Sequence, residues 1–194
     1  MNILLTGFEP FNNRKRNNSW EIVKLFINHS EIDCVEVPVS FTRADKVIIE
    51  KLCQKGYDLI LMIGETSASS DKIRLERVAL NLMDASIPDN DNVLADEIPI
   101  DITNLPSIFT NFPIKSIYSN LKRYGYPVSL SNSAGTFVCN CLYFKILNYV
   151  QNKNLKSKVL FIHVPSSTDT VSLDDIQETV NKLIGLYKQL IQKE

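Results

Sequence analysis

The amino-acid sequence predicts an α/β fold: a single domain with a twisted, largely parallel sheet that is flanked by helices on both faces. Short apolar runs of the kind found in strands buried on both faces alternate along the chain with segments of helical period. The length of 194 residues suits one domain with one sizeable core. The composition, with 44% hydrophobic and 22% charged residues, is ordinary for a globular protein. We therefore expect residues 1–194 to form one domain.

Five apolar runs are candidates for the strands of this sheet. They lie at Ile3 to Thr6, Cys34 to Val39, Tyr57 to Ile63, Lys158 to Val164 and, more weakly, Val128 to Leu130. Because helical segments separate most of them, we expect right-handed crossovers between parallel strands. In such a sheet, ligands bind at the carboxyl ends of the strands.

Capping patterns and apolar residues at helical spacing indicate four helices between and after these runs, in the segments 18–26, 42–56, 114–125 and 172–191. Asn18 with Glu21, and Thr42 with Asp45, have the form of capping boxes at the first two helix starts. The last helix is the clearest, since a capping box at 172–175 precedes a continuous apolar face. We expect that face to pack on the body of the domain or on a neighbouring subunit.

Two stretches interrupt the alternation. Glu76 to Met83 alternates apolar with other residues, as in a half-buried strand or the arm of a hairpin. From Ala85 to Asn111 no clear periodicity survives, and a loop of this length inside a compact domain is usually functional or mobile. We interpret its acidic residues as a solvated surface, because their spacing does not fit a calcium-binding loop. They are Asp89, Asp91, Asp96 and Glu97.

The charge and the apolar runs argue against several classes of partner. A formal net charge of -1 supplies no field that would gather nucleic acid or anionic lipid. The first apolar run is too short for a signal peptide and lacks a basic n-region. The chain also has no run of about 18 apolar residues, the length needed to span a bilayer. We therefore expect a cytoplasmic protein with no nucleic-acid and no membrane partner.

The four cysteines, at positions 34, 53, 139 and 141, have no C-x-x-C spacing. In a cytoplasmic chain of this length we do not expect a disulfide framework, and we expect at least three of them to be small core residues. Cys139 and Cys141 are two apart, which on a helix separates them by about 200° around the axis. They could not bind one metal ion together, so we predict no zinc site.

Cys139 lies where a thiolate would be favoured. It belongs to the segment 133–140, which links the short strand at 128–130 to a helix predicted from about Thr136 through Val150. Early in a helix, a thiol is close to unpaired N–H groups and to the positive end of the dipole, which lower its pKa. The other interpretation is a buried core residue, the usual fate of cysteine, and helix position alone favours that one.

His163 lies at the end of an apolar strand, where an open α/β sheet places its ligand crevice. Since strand and helix ends from distant parts of the chain converge there, its imidazole and the Cys139 thiol could come within hydrogen-bonding reach. The alternative is a structural histidine bonded to a backbone carbonyl, and the residues alone do not decide between the two. His29, the other histidine, is expected to be solvated at a helix end.

Several segments together resemble the pyroglutamyl peptidase I family, also called the pyrrolidone-carboxylate peptidases. They are Leu5-Thr-Gly-Phe-Glu-Pro-Phe11 with Asn17-Asn-Ser-Trp-Glu21, then Glu76-Arg-Val-Ala-Leu-Asn81, Ile87-Pro-Asp-Asn90, Ser133-Ala-Gly-Thr-Phe-Val-Cys-Asn140 and Phe161-Ile-His-Val-Pro165. They occur in the family's order and at close to its spacing. The resemblance covers nearly the whole chain.

This resemblance implies a cysteine peptidase that removes an N-terminal pyroglutamyl residue from peptides, uses no cofactor and forms homotetramers. It implies a catalytic triad in which Cys139 attacks the carbonyl, His163 is the base and Glu76 orients the imidazole. The residues alone would not select Glu76. The resemblance also implies an apolar pocket for the flat lactam ring, with walls that correspond to Phe8, Phe11, Ile87, Phe137 and Val138.

Three substitutions depart from the family pattern near these residues. Glu65 stands where the family has a substrate-binding glutamine, and an ionised carboxylate accepts hydrogen bonds but cannot donate them. Ser86 stands where the family has an arginine that could stabilise oxyanion charge, and Asn18 replaces a proline. The segment from Gly64 to Glu76 is also one residue longer. The sequence therefore predicts an intact triad inside an altered pocket.

Three functions are consistent with this sequence. The first is a pyroglutamyl peptidase with slow turnover or shifted specificity. The second is a family member that has lost peptidase activity and serves as a binding or assembly protein. The third is an acyl-processing enzyme for another amide. Hydrolysis of a pyroglutamyl amide that Cys139→Ala abolishes separates the first from the second, and a panel of N-terminally varied substrates detects the third.

Overall fold

The structure is a computed structural model that describes residues 1–66, 70–102, 105–166 and 170–192. Strands and helices alternate over most of this part of the chain. The strands are β1 (Ile3–Phe8), β2 (Ile32–Val37), β3 (Leu59–Thr66), β4 (Ile73–Glu76), β5 (Val78–Leu80), β6 (Ser107–Phe109), β7 (Val128–Ser131) and β8 (Lys158–Pro165). The helices are α1 (Asn18–Lys24), α2 (Ala44–Gln54), α3 (Ile114–Arg123), α4 (Val138–Asn152) and α5 (Leu173–Ile191).

The central sheet has six strands in the order β2-β1-β3-β8-β4-β7. Its neighbouring strands are parallel except for β4 and β8, which run antiparallel. The short strands β5 and β6 form a separate antiparallel pair. The predicted α/β fold with a largely parallel sheet is confirmed.

Two apolar cores cover the two faces of this sheet. On one face, α1, α3 and α5 pack against alternate strand residues such as Ile3 and Leu5. On the other face, α2 and α4 pack against Leu4 and Phe8. Because side chains on both faces are buried, the strands appear in the sequence as continuous apolar runs.

The five predicted strands are present, and they differ from the prediction mainly at their ends. β2 begins at Ile32, two residues before the predicted start. β3 continues beyond Ile63 to Thr66, and β8 ends at Pro165. The extension of β3 matters for the site because it pairs Gly64 with His163.

Two of the predicted helix caps are wrong. The N-cap of α1 is Asn17 and not Asn18, since the Asn17 side chain accepts a hydrogen bond from the Ser19 N–H at 3.1 Å. No side chain caps α2, which begins at Ala44. The predicted capping box paired Thr42 with Asp45, but the Asp45 carboxylate binds the Lys145 ammonium of α4 at 2.9 Å.

The capping box of α5 is confirmed. The Ser172 hydroxyl accepts from the Asp175 N–H at 3.1 Å, and the Asp175 carboxylate accepts from the Ser172 N–H at 2.9 Å. The apolar face of α5 packs on the body of the domain, where Val180 and Leu183 are buried. None of the helices within the described ranges has the length and apolar character of a transmembrane segment.

The stretch Glu76 to Met83 is not one strand. β4 ends at Glu76, and the chain then leaves the central sheet to form β5, which pairs with β6. Met83 forms an isolated bridge with Ile98. Glu76 is therefore the last residue of a sheet strand, at the edge where the site lies.

The acidic loop is not only a solvated surface, and that expectation is wrong for Asp89. Asp89 is 3% exposed and accepts hydrogen bonds from the N–H groups of Phe41, Asp91 and Val93 at 2.8 to 2.9 Å. The Arg43 guanidinium binds the Asp91 carboxylate at 2.5 and 2.7 Å. Short carboxylate side chains readily bond nearby backbone N–H groups, and here they fix the loop to the start of α2.

Candidate active site

Cys139 is the second residue of α4, which begins two residues later than predicted, after Phe137 in an extended conformation. Its N–H therefore belongs to the first turn, where backbone donors have no partner within the helix. No side chain caps this helix start. The half-buried thiol lines a cavity of about 550 Å³ that also borders the carboxyl ends of β3 and β8.

The other cysteines lie in different surroundings. Burial raises the pKa of the Cys141 thiol to about 12 and that of the half-buried Cys34 to about 11, which keeps both as thiols at neutral pH. Only Cys141 is fully buried, since Cys34 and Cys139 are half-buried and Cys53 is exposed, so the expectation of at least three core cysteines is wrong. Within the described ranges, no group of three or more His, Cys, Asp or Glu side chains could hold a metal ion.

Gly64 provides the space that the Cys139 sulfur occupies. It is a residue of β3 and pairs with His163 of β8. A Cβ atom at position 64 would lie 2.9 Å from Cys139 Sγ and 2.8 Å from Cζ of Phe161, closer than real Cβ contacts. A glycine inside a strand pattern often marks a close approach of this kind, so a signal for Gly64 was present in the sequence.

His163 is hydrogen-bonded to Glu76, and it lines the same cavity as Cys139. Its Nδ1 lies 2.8 Å from Oε1 of Glu76, and the Cys139 side chain is close enough to interact with the ring. In the antiparallel pairing of β4 with β8, Glu76 is opposite Phe161, two residues before His163 and on the same face of the sheet. The structure thus brings the three predicted triad residues together.

The electrostatics of this group favour a charged imidazole. Burial opposes protonation of His163, but its interactions with Cys139 and Glu76 outweigh burial and raise the pKa of His163 to about 9. An imidazolium at neutral pH is the partner that a thiolate needs. The arrangement can therefore supply a nucleophilic sulfur and a proton donor beside it.

Glu76 is fully buried, and its Oε2 has no hydrogen-bond donor among the residues that the structure describes. The Tyr143 hydroxyl donates to its backbone carbonyl at 3.0 Å, not to its carboxylate. Burial of an isolated carboxylate lowers the stability of the fold by roughly several kcal/mol unless a charged partner compensates. The contact with His163 therefore offsets the desolvation of Glu76.

Asn140 ties the start of α4 to the segment that follows Glu76. This fully buried amide accepts from the Leu80 N–H at 2.8 Å and donates to the carbonyls of Leu80 and Leu82 at 2.9 and 3.0 Å. The contacts hold Cys139 and Glu76 in a fixed relation, although the two belong to different elements. Sequence reasoning missed this role, since a polar residue beside the candidate nucleophile was the only signal.

Four of the six predicted substrate-binding side chains line the cavity: Phe11, Glu65, Ile87 and Phe137. The rings of Phe11 and Phe137 are in contact, with centroids 5.1 Å apart, and Phe41 packs edge-on against Phe137 from the core side at 5.4 Å. One wall of the cavity is therefore aromatic.

Phe8 and Val138, also predicted to contact substrate, do not line the cavity. Phe8 is 2% exposed and packs against Phe161, with ring centroids 6.4 Å apart. Val138 is 1% exposed and precedes Cys139 on α4. Since consecutive helix residues point about 100° apart, Val138 faces the core while Cys139 faces the cavity. Phe8 and Val138 belong to the core cluster against which Phe11 and Phe137 pack.

Glu65 is bound by two protein groups. The Arg14 guanidinium donates to Oε1, and the Asn18 N–H donates to Oε2 at 2.7 Å. The Asn18 amide also donates to the carbonyls of Pro165 and Ser166 at 3.1 and 3.0 Å. Two departures from the family pattern, at 18 and 65, are thus in direct contact, and a proline at 18 could not donate this bond.

The cavity contains three arginines that sequence reasoning did not select. Arg74, on β4 directly opposite His163, lines it together with Arg14 and Arg16. Ser86, which the sequence singled out as a departure from the family pattern, lines the cavity as well and is exposed. These arginines carried no sequence signal, since isolated basic residues are common on any surface.

Comparison with known proteins gives the family. The family model for pyroglutamyl peptidase matches residues 1–184. The chain belongs to the pyroglutamyl peptidase family. Pyrrolidone-carboxylate peptidase 2 of Caldanaerobacter subterraneus subsp. tengcongensis is 38% identical over 205 residues, which cover 100% of this chain and 99% of that protein. The resemblance found in the sequence is confirmed.

Solved structures of the pyroglutamyl peptidase family agree with this fold. Pyroglutamyl peptidase I of Bacillus amyloliquefaciens has a TM-score of 0.87 at 32% identity and covers 94% of both chains. A mutant pyrrolidone carboxyl peptidase of Pyrococcus furiosus has a TM-score of 0.89 at 29% identity and covers 98% of this chain and 100% of that one. Membership confirms the expectation that the chain is an enzyme, a cysteine-type omega-peptidase.

Proposed function

We propose that this enzyme removes N-terminal pyroglutamyl residues from peptides, with Cys139 as nucleophile, His163 as base and acid, and Glu76 as the residue that orients the imidazole. The observation that supports it most directly is the continuous set of contacts from Cys139 through His163 to Glu76 at the edge of a cavity. Relatives that match the full chain bear the name pyrrolidone-carboxylate peptidase.

The reaction follows from this geometry. The Cys139 thiolate attacks the carbonyl carbon of the pyroglutamyl amide, and the N–H groups at the start of α4 stabilise the resulting oxyanion. The His163 imidazolium then donates its proton to the leaving amine as the C–N bond breaks, which leaves a thioester on Cys139. The neutral imidazole next takes a proton from water, whose attack on the thioester releases pyroglutamate and restores the thiolate–imidazolium pair.

The cavity suits a small, flat and uncharged ring. Its aromatic wall of Phe11 and Phe137 and the half-exposed Ile87 supply apolar contacts, while Glu65 supplies hydrogen-bond acceptors. Pockets that bind small molecules combine predominantly apolar walls with a few polar groups that fix orientation. We expect these four side chains to contact the lactam ring of the substrate.

The test is hydrolysis of a pyroglutamyl chromogenic amide. We expect Cys139→Ala to lower kcat/KM at least about a thousandfold, since a nucleophile cannot be replaced by its neighbours. Cys53→Ala, which removes an exposed thiol outside the cavity, should retain wild-type activity. Full activity of Cys139→Ala would overturn the proposal. A well-folded wild-type protein with no turnover would favour the alternative, a catalytically impaired binding or assembly protein.

We also propose a cytoplasmic location and, as the family resemblance implies, a homotetramer. Large apolar side chains are exposed along the loop after β5 and at the end of β6, where a neighbouring subunit could cover them. They include Ile87, Val93, Leu94, Ile98, Ile102, Leu105 and Phe109. Light scattering on the purified protein at micromolar concentration tests this, with a monomer as the contradicting result. The absence of nucleic-acid and membrane partners stays a prediction.

A further inference from the structure

Arg14 and Glu65 place hydrogen-bond donors and acceptors side by side in the cavity wall. Both line the cavity, and they form an ion pair through Nη1 of Arg14 and Oε1 of Glu65. A guanidinium carries five N–H donors, and each carboxylate oxygen has two lone pairs. Since the described contacts use one donor of Arg14 and one lone pair on each oxygen of Glu65, the pair retains both free donors and free acceptors.

A lactam ring presents the complementary groups. Its N–H and C=O belong to one cis amide, so a donor and an acceptor lie next to each other on the same edge of the ring. A single carboxylate would satisfy only the N–H, and would leave the carbonyl without a donor. A carboxylate with a guanidinium beside it satisfies both.

We propose that Arg14 is a substrate-binding residue that acts as a pair with Glu65: Glu65 accepts from the ring N–H and Arg14 donates to the ring carbonyl. This inference rests on the proposed function, because it takes the pyroglutamyl ring as the group that enters the cavity. It assigns the specificity of the site to a residue outside the triad and outside the apolar wall.

The pair is held in place before substrate arrives. The Glu65 side chain is 7% exposed, and the Asn18 N–H fixes its Oε2 at 2.7 Å. Asn18 is itself anchored to the end of β8 through Pro165 and Ser166, which is the strand that carries His163. A fixed acceptor near the reacting groups reduces the entropy lost on binding. Arg14, with a side chain that is 47% exposed, lies on the solvent side of the pair.

The ion pair also explains how a carboxylate is tolerated beside a neutral ring and a thiolate. Glu65 follows Gly64, whose backbone lies against the Cys139 sulfur. An unpaired negative charge there would disfavour the thiolate, and the adjacent guanidinium offsets it. The pair as a whole is neutral, which matches an uncharged lactam.

The experiment measures equilibrium binding of three small lactam probes to Cys139→Ala protein by NMR titration, so that no step of catalysis is involved. The probes are 2-pyrrolidone, N-methyl-2-pyrrolidone, which lacks the N–H, and 2-pyrrolidinethione, whose sulfur is a poorer acceptor than oxygen. We expect the N-methyl compound to bind about tenfold more weakly than 2-pyrrolidone, and the thione to bind several-fold more weakly.

Adding Arg14→Ala is expected to weaken 2-pyrrolidone binding about tenfold and to bring the lactam-to-thione ratio close to one, because the donor to the carbonyl is gone. Lys15→Ala is the matched control: it removes the same charge from the neighbouring exposed position, outside the cavity lining. It should leave all three affinities unchanged.

Two results would overturn the inference. An unchanged lactam-to-thione ratio in the Arg14→Ala protein would mean that Arg14 only neutralises Glu65, and equal effects of Arg14→Ala and Lys15→Ala would mean a general effect of charge. The outcome is separate from that of the proposed function. Lactam binding that depends on Arg14, without hydrolysis by the wild-type protein, would support the pair and reject the peptidase. Hydrolysis together with lactam binding that does not depend on Arg14 would support the peptidase and reject the pair.

Discussion

Glu76 is fully buried, and its Oε1 lies 2.8 Å from Nδ1 of His163. Substitution of this one residue therefore tests whether it orients the imidazole. The carboxylate favours the imidazolium form of His163, whose pKa is raised to about 9. The pH dependence of turnover should therefore report on Glu76 directly.

We predict that kcat/KM falls as the pH rises through about 9, because His163 must keep a proton for the leaving amine. Glu76→Gln removes the negative charge that favours the imidazolium, so the pKa of His163 falls and this limb moves to lower pH. We also expect kcat/KM at the optimum to drop about a hundredfold. The measurement is a pH–rate profile with a pyroglutamyl amide.

The control for this profile is Glu50→Gln, which removes an exposed carboxylate on α2 and should leave the limb in place. If kcat/KM of Glu76→Gln fell over the same pH range as that of the wild-type enzyme, the electrostatic role of Glu76 would be contradicted, even if activity were lower.

Gly64 gives a second prediction at this scale, because a side chain there would meet the sulfur of Cys139 at 2.9 Å. We predict that Gly64→Ala lowers the free energy of unfolding by about 1–3 kcal/mol and slows alkylation of Cys139 by iodoacetamide. Denaturant titration and peptide mass spectrometry measure the two effects. Gly56→Ala is the control, since a Cβ there meets nothing within 4 Å. Equal behaviour of the two variants would contradict the close approach at Gly64.

At the scale of elements, the site depends on how α4 is fixed against the chain that follows β4. Asn140 makes three hydrogen bonds to backbone groups of Leu80 and Leu82. We predict that Asn140→Ala lowers the free energy of unfolding by about 2–3 kcal/mol, because it leaves buried backbone groups unpaired. Urea titration measures it. Asn152→Ala, an exposed position at the other end of α4, should change it little. An unchanged free energy of unfolding in Asn140→Ala would mean that α4 is held by apolar packing alone.

The same elements show what the sequence could and could not predict. The strands of the central sheet were recognisable because burial on both faces of the sheet leaves an unbroken apolar run. Cys139 and His163 were candidates because helix starts and strand ends converge in this fold. Glu76 was not, because its position follows from the antiparallel pairing of β4 with β8, a non-local contact that leaves no local signature. The Arg14 contact with Glu65 spans 51 positions and is hidden for the same reason.

At the scale of the whole molecule, the two cores share one sheet, so their folding should be coupled. We predict a single cooperative unfolding transition. Fluorescence of Trp20, the only tryptophan of the chain, reports on the core formed by α1, α3 and α5, while alkylation of the buried Cys141 reports on the core formed by α2 and α4. Coincident midpoints in urea are the expected result. Separate midpoints would mean that the chain contains two independently stable units, contrary to the single-domain prediction.

The most direct test of the central claim, that Cys139 is the nucleophile and His163 and Glu76 serve it, is mass spectrometry of the enzyme after rapid acid quenching during turnover of a pyroglutamyl amide. We predict a pyroglutamyl thioester on the peptide that contains Cys139, none on Cys34, Cys53 or Cys141, and none in Cys139→Ala protein. Turnover without an adduct on Cys139, or with an adduct on another cysteine, would contradict it.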